Sequence, residues 1–507
     1  MSEPAGFQDL ASLVAGHAAA RPEAPALRVG ERTLTWAGLH ERADRVAALL
    51  QRQGLGPGDV AAMCAASCID AVVVFIGTLR AGLAMAPLAP GSTPAQLAGM
   101  AADAGAKRLF VDAASADVPW PAGVLVTRIG EDGGILEAQL PPPGTRPAPV
   151  RIDPGWPFNI IYSSGTTGTP KGIVQPHAMR WAHIQRAAAS GYGTGTVTLL
   201  ATPLYSNTTL VCLVPTLAYG GCAVLMPKFD ALGYLRLAEQ HRATHTMLVP
   251  VQYRRLMDCP DFGRFDLKSF QAKFCTSAPF HAELKAEVLR RWPGGLTEYY
   301  GLTEGGGTVI LHCHLHPSKL HTVGQPAPGH DIRLIDEQGR ELPPGSTGEV
   351  VGRSPGMMTG YHGQPALTRH AEWFNAEGQR FLRTGDVGRF DEDGFLILMD
   401  RRKDMIISGG FNIYPSDLEA VLRAHTAVAD AAVVGVASRE WGETPVAFCV
   451  LHAGATIDAE ALRQWANAQV GKTQRLSALQ LLPELPRSAI GKVLKRELRE
   501  RWEASAR

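Results

Sequence analysis

Paired cysteines are missing from this sequence: its eight cysteines are scattered and no C-x-x-C occurs, a pattern that fits reduced thiols in a cytoplasm. Excess charge is missing as well. With a formal net charge of +1, no global field draws the chain to nucleic acid or to an anionic membrane. No apolar run predicts a membrane span, because Ala71–Leu79 stops at Arg80 and Leu210–Met226 is broken by Pro215 and Gly220–Gly221. The opening MSEPAGFQDL has no basic segment ahead of an apolar core, so no secretory signal is expected. Internal repeats are not visible. What remains is an ordinary soluble composition, 45% hydrophobic and 19% charged over 507 residues, long enough for roughly two to four structural units.

The most informative stretch is YSSGTTGTPKG, residues 162–172. Ser163, Ser164, Thr166, Thr167 and Thr169 supply hydroxyls, Gly165, Gly168 and Gly172 allow close backbone approach, and Lys171 supplies a cation. The apolar run Phe158–Tyr162 precedes it, so the loop leaves the end of a strand. Such a loop suits phosphate oxygens. It is not a Walker A loop: five residues after Gly165 stands Pro170, and Lys171 is followed by Gly172 where a hydroxyl would hold Mg²⁺. The mechanisms of P-loop kinases and GTPases drop out.

The surrounding pattern is that of an α/β protein with a mainly parallel sheet. Trp36–Leu50 has the spacing of an amphipathic helix ending near Gly54, and apolar runs such as Ala71–Ile76, Leu109–Val111 and Val124–Val126 alternate with helical stretches. PPPGTRPAP (141–149) reads as a linker internal to a domain. From about Gly324, short runs (Ile332–Ile335, Gly348–Val351, Phe395–Met399) separated by Gly, Pro and Asp predict a small β-rich unit. After Asp400 the texture is mixed again. Ser416-x-x-Glu419 has the form of a capping box behind Pro415, and Gly491–Trp502 reads as a final helix with Leu494, Leu498 and Trp502 on one face.

Three further segments carry chemistry. In EYYGLTEGGG (298–307), an aromatic before Gly301 can stack on a base, Thr303 offers a hydroxyl and Glu304 an oxygen for Mg²⁺, although a loop glutamate is ordinarily just solvated. In LRTGDVGRF (382–390), Asp386 follows a glycine turn and is suited to vicinal ribose hydroxyls. MDRRKDMIISGGFNIYPSDLEAVL (399–422) combines a charge cluster with a Gly-Gly turn. His312, His314 and His316 alternate in LHCHLHP and would share one face of a strand, but the spacing suggests no fourth ligand for a zinc ion.

YSSGTTGTPKG, YGLTE, RTGD, DRRKDMIISGGFNIYPSDLE and PRSAIGK (486–492) stand in the order and spacing of the adenylate-forming (AMP-binding) superfamily, and the chain resembles its acyl-CoA synthetase branch from TWAGLHERADRV to GKVLKREL. The resemblance implies a large N-terminal domain of layered α/β sheets with a β-rich subdomain (1–399), a hinge (400–403) and a small mobile α+β C-terminal domain (404–507). It implies an acid–thiol ligase that uses ATP, Mg²⁺ and coenzyme A to turn a carboxylic acid into an acyl adenylate and then a thioester. By similarity, Ser163, Ser164, Gly165, Thr166, Thr167, Gly168 and Lys171 contact the β- and γ-phosphates. Tyr300 with Gly301, and Ser277, Ala278 and Pro279, border the adenine. Thr303 corresponds to the α-phosphate contact, Glu304 to the Mg²⁺ ligand, and Asp386 with Arg401 to the ribose clamp. Lys492 corresponds to the lysine that bridges the carboxylate and the α-phosphate. Lys403 falls at the hinge, Gly409 and Gly410 line the pantetheine tunnel, and Trp441 corresponds to a CoA contact, with Lys472 and Arg475 near the CoA phosphates.

Departures bear on the acid. Pro203–Leu204–Tyr205–Ser206–Asn207 lacks the histidine common after the first loop, and Thr276–Ser277–Ala278–Pro279 replaces a Gly-Gly-Ala-Pro string. Gly305, Gly306 and Gly307 are expected to leave room at the acyl site, which favours a medium-sized aliphatic or aromatic acid over acetate. The alternatives are a ligase that loads a carrier-protein phosphopantetheine and a catalytically inactive binding homologue; Lys492, Glu304 and Asp386 argue against the second. A cytoplasmic monomer or homodimer, with no nucleic-acid partner, is expected.

Overall fold

The apolar run Ala71–Ile76 shows how burial overrides a short sequence pattern. A run of this length suits a buried strand or a buried helix equally. It is the middle of a helix, Ile69–Arg80, buried along most of its length, and it packs on the amphipathic helix Trp36–Arg52. The two helices meet at Gly77, where a Cβ would lie 2.5 Å from Val46 Cβ. A helix that is apolar all round belongs in the interior.

The computed structural model describes residues 6–130, 134–163, 171–401, 404–408, 411–438, 441–471, 474–488 and 491–505. The chain divides into two units. The first comprises Met1–His321, Pro326–Asp331 and Gly352–Leu382. One of its sheets runs, in spatial order, through Gly305–His312, Gly295–Leu302, Ala272–Cys275, His245–Leu248, Val197–Leu200, Cys222–Leu225, Pro25–Val29 and Arg32–Thr35. From Gly295–Leu302 to Pro25–Val29 the pairs are parallel, and Gly295–Leu302/Gly305–His312 and Pro25–Val29/Arg32–Thr35 are antiparallel hairpins. The other sheet runs through Gly360–Tyr361, Lys171–Pro176, Pro157–Ser163, Ala84–Pro87, Val60–Cys64, Ala106–Val111 and Leu125–Arg128.

One core cluster joins the two sheets. It contains Leu27, Leu200, Leu225 and Phe274 from the first, Ala61, Met63, Phe110 and Phe158 from the second, and the helices Trp36–Arg52, Ile69–Arg80 and Asn207–Ala218. The outer face of the second sheet is covered by Pro94–Asp103 through Leu97, Met100 and Ala101. Parallel strands buried on both faces read as continuous apolar runs, as Val60–Cys64 does.

The second unit comprises Thr322–Gln325, Ile332–Val351 and Arg383–Arg507. Residues 386–390 pair antiparallel with 396–401. Further on, the long hairpin Val428–Ser438/Gly442–Leu451 is extended by Ile406–Ser408 with Phe411–Ile413 and by Ala478–Leu481. The helices Pro415–Arg423 and Ala459–Ala468 cover one face of this sheet, and Lys495–Ser505 the other. The mixed α/β class and the large-plus-small organisation expected from the sequence are present.

Three local expectations are corrected. Helix Pro415–Arg423 is not started by a capping box: its N-cap is Tyr414, and Glu419 instead accepts from the Val433 amide at 2.9 Å and pairs with Lys495 at 2.9 Å. A buried strand edge and a lysine outcompete a local helix-end bond. The last helix begins at Lys495, so Lys492 precedes it. Finally, the strand carrying His312 stops there and 313–315 turn, so the three histidines do not share a strand face. The His314 ring hydrogen-bonds Leu296 O at 3.1 Å, and His312 meets Thr297 Oγ1 at 3.2 Å. Among the described residues, no helix is long and apolar enough to cross a membrane.

Candidate active site

The Ser/Gly/Thr segment is the connection of a β-hairpin. Pro157–Ser163 and Lys171–Pro176 pair antiparallel, with Ser163 opposite Lys171 and Tyr162 opposite Gly172. Ser164, Gly165, Thr166, Thr167 and Gly168 lie outside the described residues, as does the side chain of Ser163. The hairpin base is well tied. The Tyr162 hydroxyl donates to Asp103 Oδ2 at 2.6 Å, and the His362 amide donates to Gly172 O at 2.7 Å.

Lys171 opens the returning strand, and its Nζ lies 5.6 Å from the centre of the Tyr361 ring. Tyr361 stands on the short strand Gly360–Tyr361, which pairs with the free side of Lys171–Pro176. Its hydroxyl donates to Glu304 Oε1 at 2.8 Å. Burial first, and then the Glu304 charge, push the Tyr361 hydroxyl well above the usual phenol range, so it stays a donor. Lys171 and Glu304, 133 positions apart in sequence, thus share one aromatic side chain. Tyr361 was not among the residues expected from the sequence; the only signal was the pair Gly360–Tyr361 ahead of Pro365. A groove of about 480 Å³ opens beside it, lined by Val174, Thr359, His362, Gln364 and Arg369.

Thr303 and Glu304 form the two-residue turn between Gly295–Leu302 and Gly305–His312, with Leu302 opposite Gly305. The turn is held from beneath. Gln175 Nε2 donates to Thr303 O at 2.6 Å, while Gln175 Oε1 accepts from Asn159 Nδ2 at 2.8 Å and from the buried Arg180. The Met358 amide donates to Glu304 O at 2.8 Å. Gly305 and Gly306 do not open an acyl cavity, contrary to expectation. A Cβ at Gly305 would lie 2.1 Å from Gly356 O, and one at Gly306 3.0 Å from Gly352 O and 3.2 Å from Leu382 Cβ. The space their missing side chains leave is filled by the segment 352–357, which bridges Gly305 at Met357.

Tyr300 follows the buried Glu298, whose carboxylate pairs with Lys285 at 2.5 Å. Tyr300 is half-buried and stands opposite Val309, and Gly301 is exposed. Ser277 is one of two described non-glycine residues with positive φ (81°), the other being Arg242. Its hydroxyl bonds Thr208 Oγ1 at 2.6 Å, which ties 276–279 to the start of helix Asn207–Ala218. Left-handed backbone at a serine is uncommon and clusters at functional sites.

In the second unit, Asp386 is buried and stands directly opposite Arg401 in the antiparallel register. Contrary to expectation, Asp386 does not follow a turn: Gly385 and Asp386 both lie within the strand Arg380–Phe390, Gly385 with φ 70°, and the Asp386 amide donates to Thr384 Oγ1 at 3.0 Å. Lys403, Gly409, Gly410 and Lys472 lie outside the described residues. Of their neighbours, Ser408 pairs with Gly442, the residue after Trp441. Trp441 is 52% exposed, and Arg475 is exposed too. Lys492 sits in a tight turn rather than on a helix. Gly491 has φ 78°, the Ser488 amide donates to Lys492 O at 2.8 Å, and Arg487 Nη1 donates to Gly491 O at 2.6 Å.

The model of the AMP-binding enzyme family matches residues 14–362, and that of the AMP-binding enzyme C-terminal domain matches 417–492. The chain is 31% identical to a fatty acid–[acyl-carrier-protein] ligase of Streptomyces coeruleorubidus, over 99% of this chain and 98% of that protein. It is 32% identical to a feruloyl-CoA synthase of an Amycolatopsis species, over 98% and 99%. Among solved structures, ATP-bound MatB from Rhodopseudomonas palustris superposes with a TM-score of 0.88 at 30% identity, covering 98% of this chain and 99% of that one.

Proposed function

The chain belongs to the AMP-binding enzyme family, and from that premise we propose that it joins a medium-sized carboxylic acid to coenzyme A through an acyl adenylate. A carboxylate is a poor acyl donor because oxide is a poor leaving group; AMP is a better one. The difficulty is that attack on the α-phosphorus brings two anions together. Catalysis is therefore mostly charge neutralisation and alignment.

The observation that carries the proposal is the Lys171–Tyr361–Glu304 arrangement at the base of the hydroxyl-rich hairpin. Lys171 supplies positive charge for the outer phosphates. Glu304 presents a carboxylate with Oε1 fixed by Tyr361, and among the described residues no donor reaches Oε2. That hard oxygen fits Mg²⁺, which when bound neutralises phosphate charge. Thr303, held by Gln175, orients its hydroxyl toward the α-phosphate; Tyr300 and Ser277–Pro279 border the base, and Asp386 accepts from the ribose hydroxyls while Arg401 donates to the ribose. Lys492 balances the charge of the attacking carboxylate. We further propose that 1–399 and 404–507 rotate about 400–403 between the two half-reactions, so that Gly409, Gly410 and Trp441 meet the thiol in the second. A cytoplasmic location, where ATP and CoA are held, suits this chemistry.

The full-length likeness to a carrier-protein ligase favours a second reading, in which the acceptor is a protein-bound phosphopantetheine. Pyrophosphate release over a panel of carboxylic acids, with CoA, with a holo carrier protein and with neither, tests both. Acid-dependent release that turns over with CoA is expected. Turnover only with the carrier selects the second reading, and no release with any acid overturns the ligase proposal.

A further inference from the structure

Behind Gly301, in the first unit, Arg186, Thr308 and His330 form a cluster in which no described carboxylate is paired with the cation. Arg186, on helix His177–Ala187, donates through Nη1 to Thr308 Oγ1 at 3.1 Å, with its guanidinium carbon 5.6 Å from the centre of the Tyr299 ring. Thr308 lies on the strand that follows the Glu304 turn, and its amide donates to His330 Nδ1 at 2.9 Å. That bond needs the lone pair on Nδ1, so a neutral His330 carries its proton on Nε2 and is itself a donor there. Burial, and then the Arg186 charge, hold His330 down to about 4, which keeps it neutral near pH 7. With one lone pair of Oγ1 occupied by Arg186, the Thr308 hydroxyl has its own proton to give.

The charge balance points the same way. Burial lowers the Arg186 guanidinium from its ordinary value. His183, one turn earlier on the same helix, is held well below its ordinary value by burial and by Arg186, Arg180 and His330. No carboxylate among the described residues pairs with Arg186. A partly desolvated cation without a counter-charge is costly, and an incoming anion offsets that cost. The group also adjoins the adenylating motif, since a Cβ at Gly301 would lie 3.7 Å from Thr308 Oγ1.

We propose that Arg186, Thr308 and His330 form a receptor for an oxyanion at the far end of the acid substrate, so that the preferred acid carries a second carboxylate remote from the one that is activated. A planar guanidinium beside a hydroxyl donor, next to a histidine that stays neutral, matches a carboxylate, which accepts only. The proposal rests on the ligase reading for the identity of the reacting end, but the donor cluster itself does not.

The test pairs acids that differ only in the remote group, adipate with hexanoate and terephthalate with benzoate, and uses two measurements on the full chain. The first is the rise in thermal midpoint with each acid, which needs no catalysis. The second is kcat/KM for pyrophosphate release. In the wild-type protein the di-acid is expected to exceed its mono-acid partner about tenfold in kcat/KM, and to give the larger thermal shift. In Arg186→Met both preferences should fall to near unity, and Arg186→Lys should restore part of them. Thr308→Val, which removes a hydroxyl without changing charge, gives an intermediate loss and serves if Arg186→Met does not fold. A sulfate arm separates a substrate receptor from a site that collects free anions. Sulfate protection that depends on Arg186, without any di-acid preference, overturns the proposal. So does equal handling of mono- and di-acids by the wild type, or a preference that survives Arg186→Met. Arg186-dependent di-acid binding without pyrophosphate release would keep the receptor and sink the ligase reading.

Discussion

The Tyr361 hydroxyl donates to Glu304 Oε1 at 2.8 Å while the face of the same ring lies 5.6 Å from Lys171 Nζ. One neutral side chain therefore holds both the carboxylate assigned to the metal and the cation assigned to the phosphates. Removing the hydroxyl alone should free Glu304 to rotate. Tyr361→Phe is expected to move the Mg²⁺ dependence of pyrophosphate release to higher concentration and to weaken MgATP binding by about 1.5–3 kcal/mol, the range for a hydrogen bond to a charged group. Tyr361→Leu, which also removes the ring beneath Lys171, should lose about 0.5–1 kcal/mol more. A Mg²⁺ titration of the Phe variant that overlays the wild type would reduce the hydroxyl to packing.

Asp386 is the acceptor assigned to the ribose. Asp386→Ala should weaken ATP binding by about 1.5–3 kcal/mol, roughly 10–100-fold in Kd. Calorimetry with ATP and with 2′-deoxy-ATP identifies the partner: the mutation and the missing hydroxyl should be non-additive. Full additivity would move Asp386 away from the ribose.

Lys492 is carried on a turn closed by Ser488 and Arg487, outside any helix. Lys492→Ala should abolish acyl-adenylate formation and spare thioester formation from a supplied acyl adenylate, because only the first step opposes a carboxylate to the α-phosphate. Single-turnover measurements of each step decide it, and equal losses in both would remove the lysine from that role.

Acid should loosen the first unit before it affects chemistry. His177 is buried against Phe158, with ring centres 5.1 Å apart, and burial holds it down to about 4. Its unfolded value is about 6.5. Between these values the unfolded chain binds the extra proton, so stability rises with pH across this window and is lost as pH falls through it. The ceiling for one such site is about 3 kcal/mol. Urea midpoints measured from pH 7 to pH 4.5 should fall steadily, and His177→Gln should flatten that slope. An unchanged slope would show that other groups set the acid response.

What was legible in the sequence follows from how local each determinant is. The amphipathic helix at Trp36 and the strand before Tyr162 announce themselves through periodicity and neighbouring turns, and both are present. Asp386 and Arg401, fifteen positions apart, are neighbours only through the strand register. Ala71–Ile76 reads as a strand alternating with helices, yet it is the middle of helix Ile69–Arg80, because a segment buried on all sides has no helical periodicity to read. Glu419 looked like a capping partner because a sequence shows Ser416 three places away but not Val433 and Lys495. Tyr361 and Arg186 were missed for the same reason. Their meaning lies in partners 57 and 122 positions distant, and neither sits in a segment whose composition sets it apart.

Gly305 and Gly306 behave as a seam allowance: the hairpin that carries Glu304 and the segment that leads to Tyr361 are sewn together through the two absent side chains. This constrains how the protein can diversify. A lineage, or an engineer, wishing to retune the acid cannot begin by adding bulk at these positions, since even one methyl at Gly305 would have to displace the Gly356 carbonyl, and φ is +81° at both sites. The unstitched segment would take Tyr361 with it and slacken the hold on Glu304. Variation in substrate range has to be written on other walls, while this joint stays closed to it.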